Sequence, residues 1–142
     1  SGGSGGGGGG GWNCLHEETM LNNKQAGEVE VGDFVWVPEG AAEITDVKKW
    51  DCSEWIEVWS GSDLIIKATR KHLLYKAADN SEVAMEDIKL GDLLVAADRH
   101  ILVTGLVICD KPAKAVGIAI EQPHQHYAGA HRILCHNGTQ KP

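Results

Sequence analysis

One eight-residue pattern occurs twice in this chain. Glu28-Val29-Glu30-Val31-Gly32-Asp33-Phe34-Val35 aligns without gaps to Asp87-Ile88-Lys89-Leu90-Gly91-Asp92-Leu93-Leu94, so both copies read charged, apolar, charged, apolar, Gly, Asp, apolar, apolar. Gly-Asp alone is a common β-turn dipeptide. The flanking residues agree as well, however, and two copies 59 residues apart imply a fold of two related halves.

The rest of the chain fits that constraint as a succession of short strands. Residues 29–37 read as a strand interrupted at Gly32-Asp33, and 55–59 as a second. Segments 64–68, 73–75, 93–96, 101–104, 106–109 and 116–120 continue the series, separated by Gly, Asp, Asn and Pro. Helical turns are expected only within 81–88 and 22–27. Many short, half-buried strands predict an all-β fold, a curled sheet or barrel rather than a layered α/β architecture.

Composition separates the ends from this body. Gly2, Gly3 and Gly5 to Gly11 supply nine of the 18 glycines, a run that buries no core and reads as a flexible tether. What remains of the 142 residues is enough for one domain. A net charge of −7 with no clustered Lys/Arg run argues against a nucleic-acid surface. Apolar stretches such as 101–103 and 106–108 are far too short to span a bilayer. The start has no basic-then-apolar pattern of signal-peptide type, and no compartment is specified. Cysteines 14, 52, 109 and 135 lack CxxC spacing, so a disulfide scaffold is not expected. A Cys14 to Cys135 contact is the exception to test, since both flank reactive segments.

Three segments carry the chemistry: Cys14-Leu15-His16-Glu17-Glu18-Thr19 near the start, Thr69-Arg70-Lys71-His72 in the middle, and Cys135-His136-Asn137-Gly138 near the end. A Cys can attack the peptide carbonyl just before it, a Thr/His pair can activate that bond, and an Asn can cyclise onto its own carbonyl and break the bond after it. The set suggests a protein that cuts its own backbone. Singly, each has a plainer reading: a buried Cys is a small apolar residue, and His-Asn-Gly is a turn. Trp12, Trp36, Trp50, Trp55 and Trp59 read as core or rim aromatics.

In this order the segments resemble the Hint superfamily, which comprises inteins, bacterial intein-like domains and hedgehog autoprocessing domains. Cys14-Leu15 followed by Thr19 is similar to the opening motif, and Thr69-x-x-His72 to the internal TxxH motif. Residues 120–127 and Ile133-Leu134-Cys135-His136-Asn137 are similar to the closing region. The resemblance implies a flattened all-β horseshoe with pseudo-twofold halves and both chain ends at the active site. It implies a domain over 14–137, an N-terminal flank 1–13 and a C-terminal flank 138–142, with no room for a homing endonuclease.

The resemblance also implies roles. Cys14, partly as thiolate, attacks the carbonyl of Asn13 in an N-to-S acyl shift, while His72 protonates the departing amide nitrogen and Thr69 orients the scissile peptide. Asn137 forms a succinimide and releases Gly138, helped by His136 and by either His124 or His126, both of which stay open. No cofactor is implied. The partners are the chain's own flanks, and the domain is expected to act once, as a monomer.

Two departures qualify this picture. Gly117 stands where the family often carries an Asp, which removes any Asp-assisted step. Gly138 stands where a splicing intein carries Cys, Ser or Thr, and Thr139 is one residue late, so conventional trans-esterification lacks its nucleophile. The pattern therefore points to bacterial intein-like domains, with cleavage at either end or inefficient splicing. A rival reading is a zinc-binding module, because His124, His126, His131, Cys135 and His136 fall within thirteen residues and Cys14 can join them in space. Within the Hint reading the same convergence makes zinc an inhibitor. A third reading is an inert Hint-fold scaffold.

Overall fold

The computed structural model describes residues 14–122 and 124–136. Among these the chain is all β apart from two single 3₁₀ turns, Ala26–Glu28 and Met85–Asp87. The strands in order are β1 Leu15–His16, β2 Met20–Leu21, β3 Lys24–Gln25, β4 Phe34–Val37, β5 Gly40–Cys52, β6 Trp55–Ser60 and β7 Asp63–Ala68. There follow β8 Leu73–Tyr75, β9 Glu82–Ala84, β10 Leu93–Val95, β11 His100–Leu102, β12 Gly105–Cys109, β13 Ala113–Ile120, β14 Gln125–Ala128 and β15 Ile133–His136. A seven-stranded sheet runs β12-β6-β7-β1-β13-β5-β4, and a four-stranded sheet runs β9-β8-β15-β14. Two hairpins, β2-β3 and β10-β11, complete the set, and every pair is antiparallel. No helix among the described residues is long and apolar enough to cross a membrane.

The core lies beneath both sheets. Ile44, Val58, Ile66, Leu74, Leu94, Val116, Ile133 and Cys135 belong to one buried cluster that draws residues from strands of both. At roughly 25 cal/mol per Å² of apolar surface, each such aliphatic side chain contributes about 1.5–3 kcal/mol on burial. Strand β1 is only two residues long, yet it sits between β7 and β13 in the middle of the large sheet. Its register pairs Leu15 with Ala68 on one side and with Val116 on the other. That short strand is how Leu15 and His16 are held in the middle of the large sheet.

The repeat found in the sequence is reproduced bond for bond. Asp33 N–H donates to the Glu30 carbonyl over 3.0 Å and Asp92 N–H to the Lys89 carbonyl over 3.1 Å. Asp33 Oδ2 accepts from Glu30 N–H at 2.8 Å, as Asp92 Oδ2 does from Lys89 N–H at 3.0 Å. Gly32 N–H and Gly91 N–H each donate over 2.9 Å, to the carbonyls of Ile44 and Val103. Both glycines hold positive φ, +100° and +94°, a region that L side chains adopt only with strain. The Gly in each copy thus provides the bend, and the Asp carboxylate closes it.

Three expectations need correction. Residues 29–33 form a turn rather than a strand, because Asp33 pulls Glu30 into a closed loop; Val29 is 3% exposed and Val31 61%. The longest strand, β5, falls where no strand was expected. Along GAAEITDVKKWDC only Ile44 is buried, so the segment lacks the alternation by which a half-buried strand is recognised; its ladders to β13 and β4 hold it instead. The helical turns expected within 22–27 and 81–88 shrink to the two 3₁₀ turns, and Glu82–Ala84 pairs as a strand.

Candidate active site

Cys14, the first of the candidate residues, is placed by its neighbours in the sheet. Because Leu15 pairs with Ala68 and Val116, Cys14 falls between Thr69 and Gly117. Thr69 grips its main chain at three points. Cys14 N–H donates to Thr69 Oγ1 over 3.4 Å, the Thr69 hydroxyl donates to the Cys14 carbonyl over 3.2 Å, and Thr69 N–H donates to the same carbonyl over 3.0 Å. On the other side, a Cβ built at Gly117 would lie 3.6 Å from Cys14 Sγ and 3.2 Å from the Trp50 ring. The place where the resemblance expects an Asp is therefore closed by an indole.

Cys14 is fully buried with Trp55 and Ala115, and Trp50, Cys52, Cys109 and Ala113 pack around them. Burial disfavours the thiolate, and the nearby Cys52 adds to the effect, so the Cys14 thiol is pushed up to about 12. Burial favours the protonated thiol over the partial thiolate that the resemblance implies. The cysteines packed near Cys14 are Cys52 and Cys109. Cys135 belongs to the main core instead, and all four cysteines are free.

His72 is fully buried, and its backbone is tied at both ends. Its N–H donates to the Thr69 carbonyl over 3.1 Å, and its carbonyl accepts from Met85 N–H over 2.8 Å. It leads directly into β8, whose Leu74 pairs with Cys135 of β15. The Thr69 to His72 turn thus joins the large sheet holding Cys14 to the small sheet holding His136. Asn137, with Asn13 and Gly138, lies outside the described residues.

Alternation sorts the side chains of the small sheet. Val83, Leu74, Cys135 and His126 are buried toward the core, while Glu82, Tyr75, His136 and Gln125 share the opposite face. On that face the Glu82 carboxylate lies 3.0 Å from His136 Nδ1, and the Tyr75 hydroxyl is 3.3 Å from the same nitrogen and 3.4 Å from Glu82 Oε2. The His124 ring lies near-parallel to that of His136, with centroids 6.5 Å apart. His126 lies on the core face: its Nδ1 is 3.2 Å from the Tyr127 carbonyl, and burial pushes it down to about 4. Sequence reasoning missed Glu82, Tyr75 and Trp50, whose positions depend on strand register.

The convergence expected of a zinc module is not present. His131 sits with Arg99 Nη2 at 2.6 Å and Asp63 Oδ2 at 3.9 Å, His126 faces the core, and Cys14 is walled by tryptophans. No group of three or more His, Cys, Asp or Glu among the described residues is arranged to hold a metal ion.

No family model matches the sequence, and no curated protein sequence matches it. Solved structures do. The bacterial intein-like domain from Clostridium thermocellum superposes with a TM-score of 0.77 at 21% identity, covering 88% of this chain and 99% of that one. The gp41-1 intein gives 0.72 at 21% identity over 87% and 98%. The Msm DnaB1 intein splicing domain, solved bound with zinc, gives 0.72 at 19% identity over 87% and 99%. Architecture and near-complete mutual coverage together give this chain the Hint fold, the fold of inteins and bacterial intein-like domains.

Proposed function

We propose that this domain cleaves the two peptide bonds that bound it, Asn13-Cys14 and Asn137-Gly138, once each and without a cofactor. The observation that carries the reading is the grip of Thr69 on Cys14. The nitrogen that Thr69 Oγ1 holds is the leaving nitrogen of the first bond. In the N-terminal step, Cys14 Sγ bonds to the Asn13 carbonyl carbon, the carbon–nitrogen bond breaks, and one proton passes from sulfur to nitrogen. His72, buried one turn away, is the group that hands it over. Because the sulfur begins protonated, only its small thiolate fraction attacks, which makes the step slow at neutral pH.

In the C-terminal step, Asn137 Nδ2 bonds to its own carbonyl carbon, the bond to Gly138 breaks, and one proton moves from Nδ2 to the Gly138 nitrogen. His136 carries that proton. His124, which stacks on His136, is the assisting histidine in this reading, and His126 is a core residue. With Gly138 offering no side chain, the thioester goes to water or an added thiol, so cleavage prevails over splicing.

Intact mass of the full chain, incubated with and without dithiothreitol, tests both steps. Thiol is expected to accelerate release of residues 1–13, and Cys14→Ala to abolish it. Asn137→Ala should keep residues 138–142 attached while N-terminal thiolysis continues. Unchanged release from the Cys14→Ala chain would sink the acyl shift.

A further inference from the structure

Beyond the groups that react, the small sheet carries an acid aimed at one of them. Glu82 and Tyr75 are cross-strand partners on β9 and β8, and His136 on the next strand, β15, shares their face. Glu82 Oε2 is 3.0 Å from His136 Nδ1, short enough for a charge-assisted hydrogen bond. The Tyr75 hydroxyl donates to the same oxygen over 3.4 Å, so one carboxylate oxygen gathers both neighbours. Neither Glu82 nor Tyr75 belongs to the motifs that single out the reactive residues.

We infer that Glu82 is a positioning residue for C-terminal cleavage: by accepting the Nδ1 proton of His136 it fixes the ring's tautomer and leaves Nε2 as the proton-carrying atom. This rests on the reading that Asn137 cyclises. Which imidazole nitrogen is free is set by the hydrogen bond that the other makes. With Nδ1–H committed to Glu82, Nε2 presents a lone pair, takes the proton released by Asn137 Nδ2 and returns it to the Gly138 nitrogen. No proton is left over, and Nδ1 stays bonded to the carboxylate throughout. During the step the ring is briefly cationic, with the Glu82 carboxylate still in place 3.0 Å from Nδ1. Tyr75 limits the carboxylate's freedom by holding the oxygen that accepts from Nδ1.

Two measurements on the full chain decide it. Nitrogen NMR of the histidine rings, read in the uncleavable Asn137→Ala chain, should show His136 as the Nδ1–H tautomer. Adding Glu82→Ala should shift it toward Nε2–H. In the cleavable chain Glu82→Ala should slow C-terminal release about fivefold, the scale of a half-exposed charge pair. Glu82→Gln, whose amide oxygen can still accept, should recover most of the rate. N-terminal thiolysis serves as the folding control, because a collapsed sheet would lower both rates together. A His136 tautomer indifferent to Glu82→Ala, or an undiminished C-terminal rate, overturns the assignment. If the parent chain itself releases no residues 138–142, the cyclisation reading fails, while the tautomer measurement still decides whether Glu82 positions His136.

Discussion

In the turn His16-Glu17-Glu18-Thr19, the Thr19 N–H donates to the His16 carbonyl over 2.9 Å; in the turn Thr69-Arg70-Lys71-His72, the His72 N–H donates to the Thr69 carbonyl over 3.1 Å. The likeness continues outward. Ala26 N–H closes on the Thr19 carbonyl at 2.7 Å and Met85 N–H on the His72 carbonyl at 2.8 Å, each at the start of its 3₁₀ turn. The turns also reach across to one another. Thr69 donates its hydroxyl to the carbonyl of Cys14, two residues before the first turn, and Thr19 donates its own to the carbonyl of Lys67, two residues before the second. What differs is the side chains. The first turn is preceded by a thiol and has His then Thr at its corners; the second is preceded by an amine and has Thr then His.

That difference separates scaffold from chemistry. One backbone device, used twice, places the start of β2 and of β8, and the candidate groups are divided between the copies, Cys14 before the first and Thr69 and His72 at the corners of the second. Lys67 pairs with Glu57 at 3.2 Å, whereas Cys14 is enclosed by Trp50 and Trp55. The largest expected effect exploits this contrast. His72→Ala should lower N-terminal thiolysis by about 10²–10⁴-fold, the usual worth of a positioned acid or base, and leave C-terminal release nearly intact. Thr19→Ala, at the matching corner, should cost about 1 kcal/mol of stability through the lost 2.8 Å bond to Lys67 and leave the thiolysis rate within about twofold. Equal rate losses from both, with matched falls in melting temperature, would make the two turns alike in being structural.

A second test concerns the residue that precedes the first turn. The folded Cys14 thiol is held above its ordinary value, up to about 12, chiefly by burial, so the thiol form prevails below that pH and the thiolate fraction climbs as pH rises. N-terminal thiolysis at saturating dithiothreitol should therefore rise about tenfold per pH unit across the neutral and mildly alkaline range. A plateau near pH 8 would mean that the sulfur is already ionised there and that the dry pocket around it opens in solution.

These contrasts also show what a sequence exposes. The Gly-Asp repeat was legible because its chemistry is local: a bend that needs positive φ and a carboxylate three residues from the N–H it binds. The matching of residues 16–19 to 69–72 was not, since the shared feature is backbone and the side chains are reversed. Cys14, Thr69, His72 and His136 were named from motifs, and the first two do meet. The choice between His124 and His126 stayed open because the run Ala128 to Arg132 offsets the closing region from the family's pattern, and in the structure His126 is buried in β14 while His124 lies just before it. Glu82 and Trp50 were invisible for a related reason: each reaches its partner across a register that no local pattern encodes.

The smallest effect asks whether the two halves are energetically as well as geometrically alike. Gly32 and Gly91 sit at φ of +100° and +94°, and a Cβ built at either meets nothing within 4 Å. An Ala there creates no clash, so its penalty comes from the backbone alone, about 1–2 kcal/mol for an L residue forced into the left-handed region. Gly32→Ala and Gly91→Ala should thus lower the melting temperature by similar amounts, several degrees each, and the double variant should lose their sum, because the sites share no partner. Neither should change the slope of thiolysis against pH, since neither glycine is among the residues packed around Cys14. A Gly91→Ala penalty much larger than that of Gly32→Ala would show that the second half, which carries His72 and leads into β8, is held more tightly than the first. The likeness of the loops would then be one of shape, and the half bearing Thr69 and His72 would be the more rigid body.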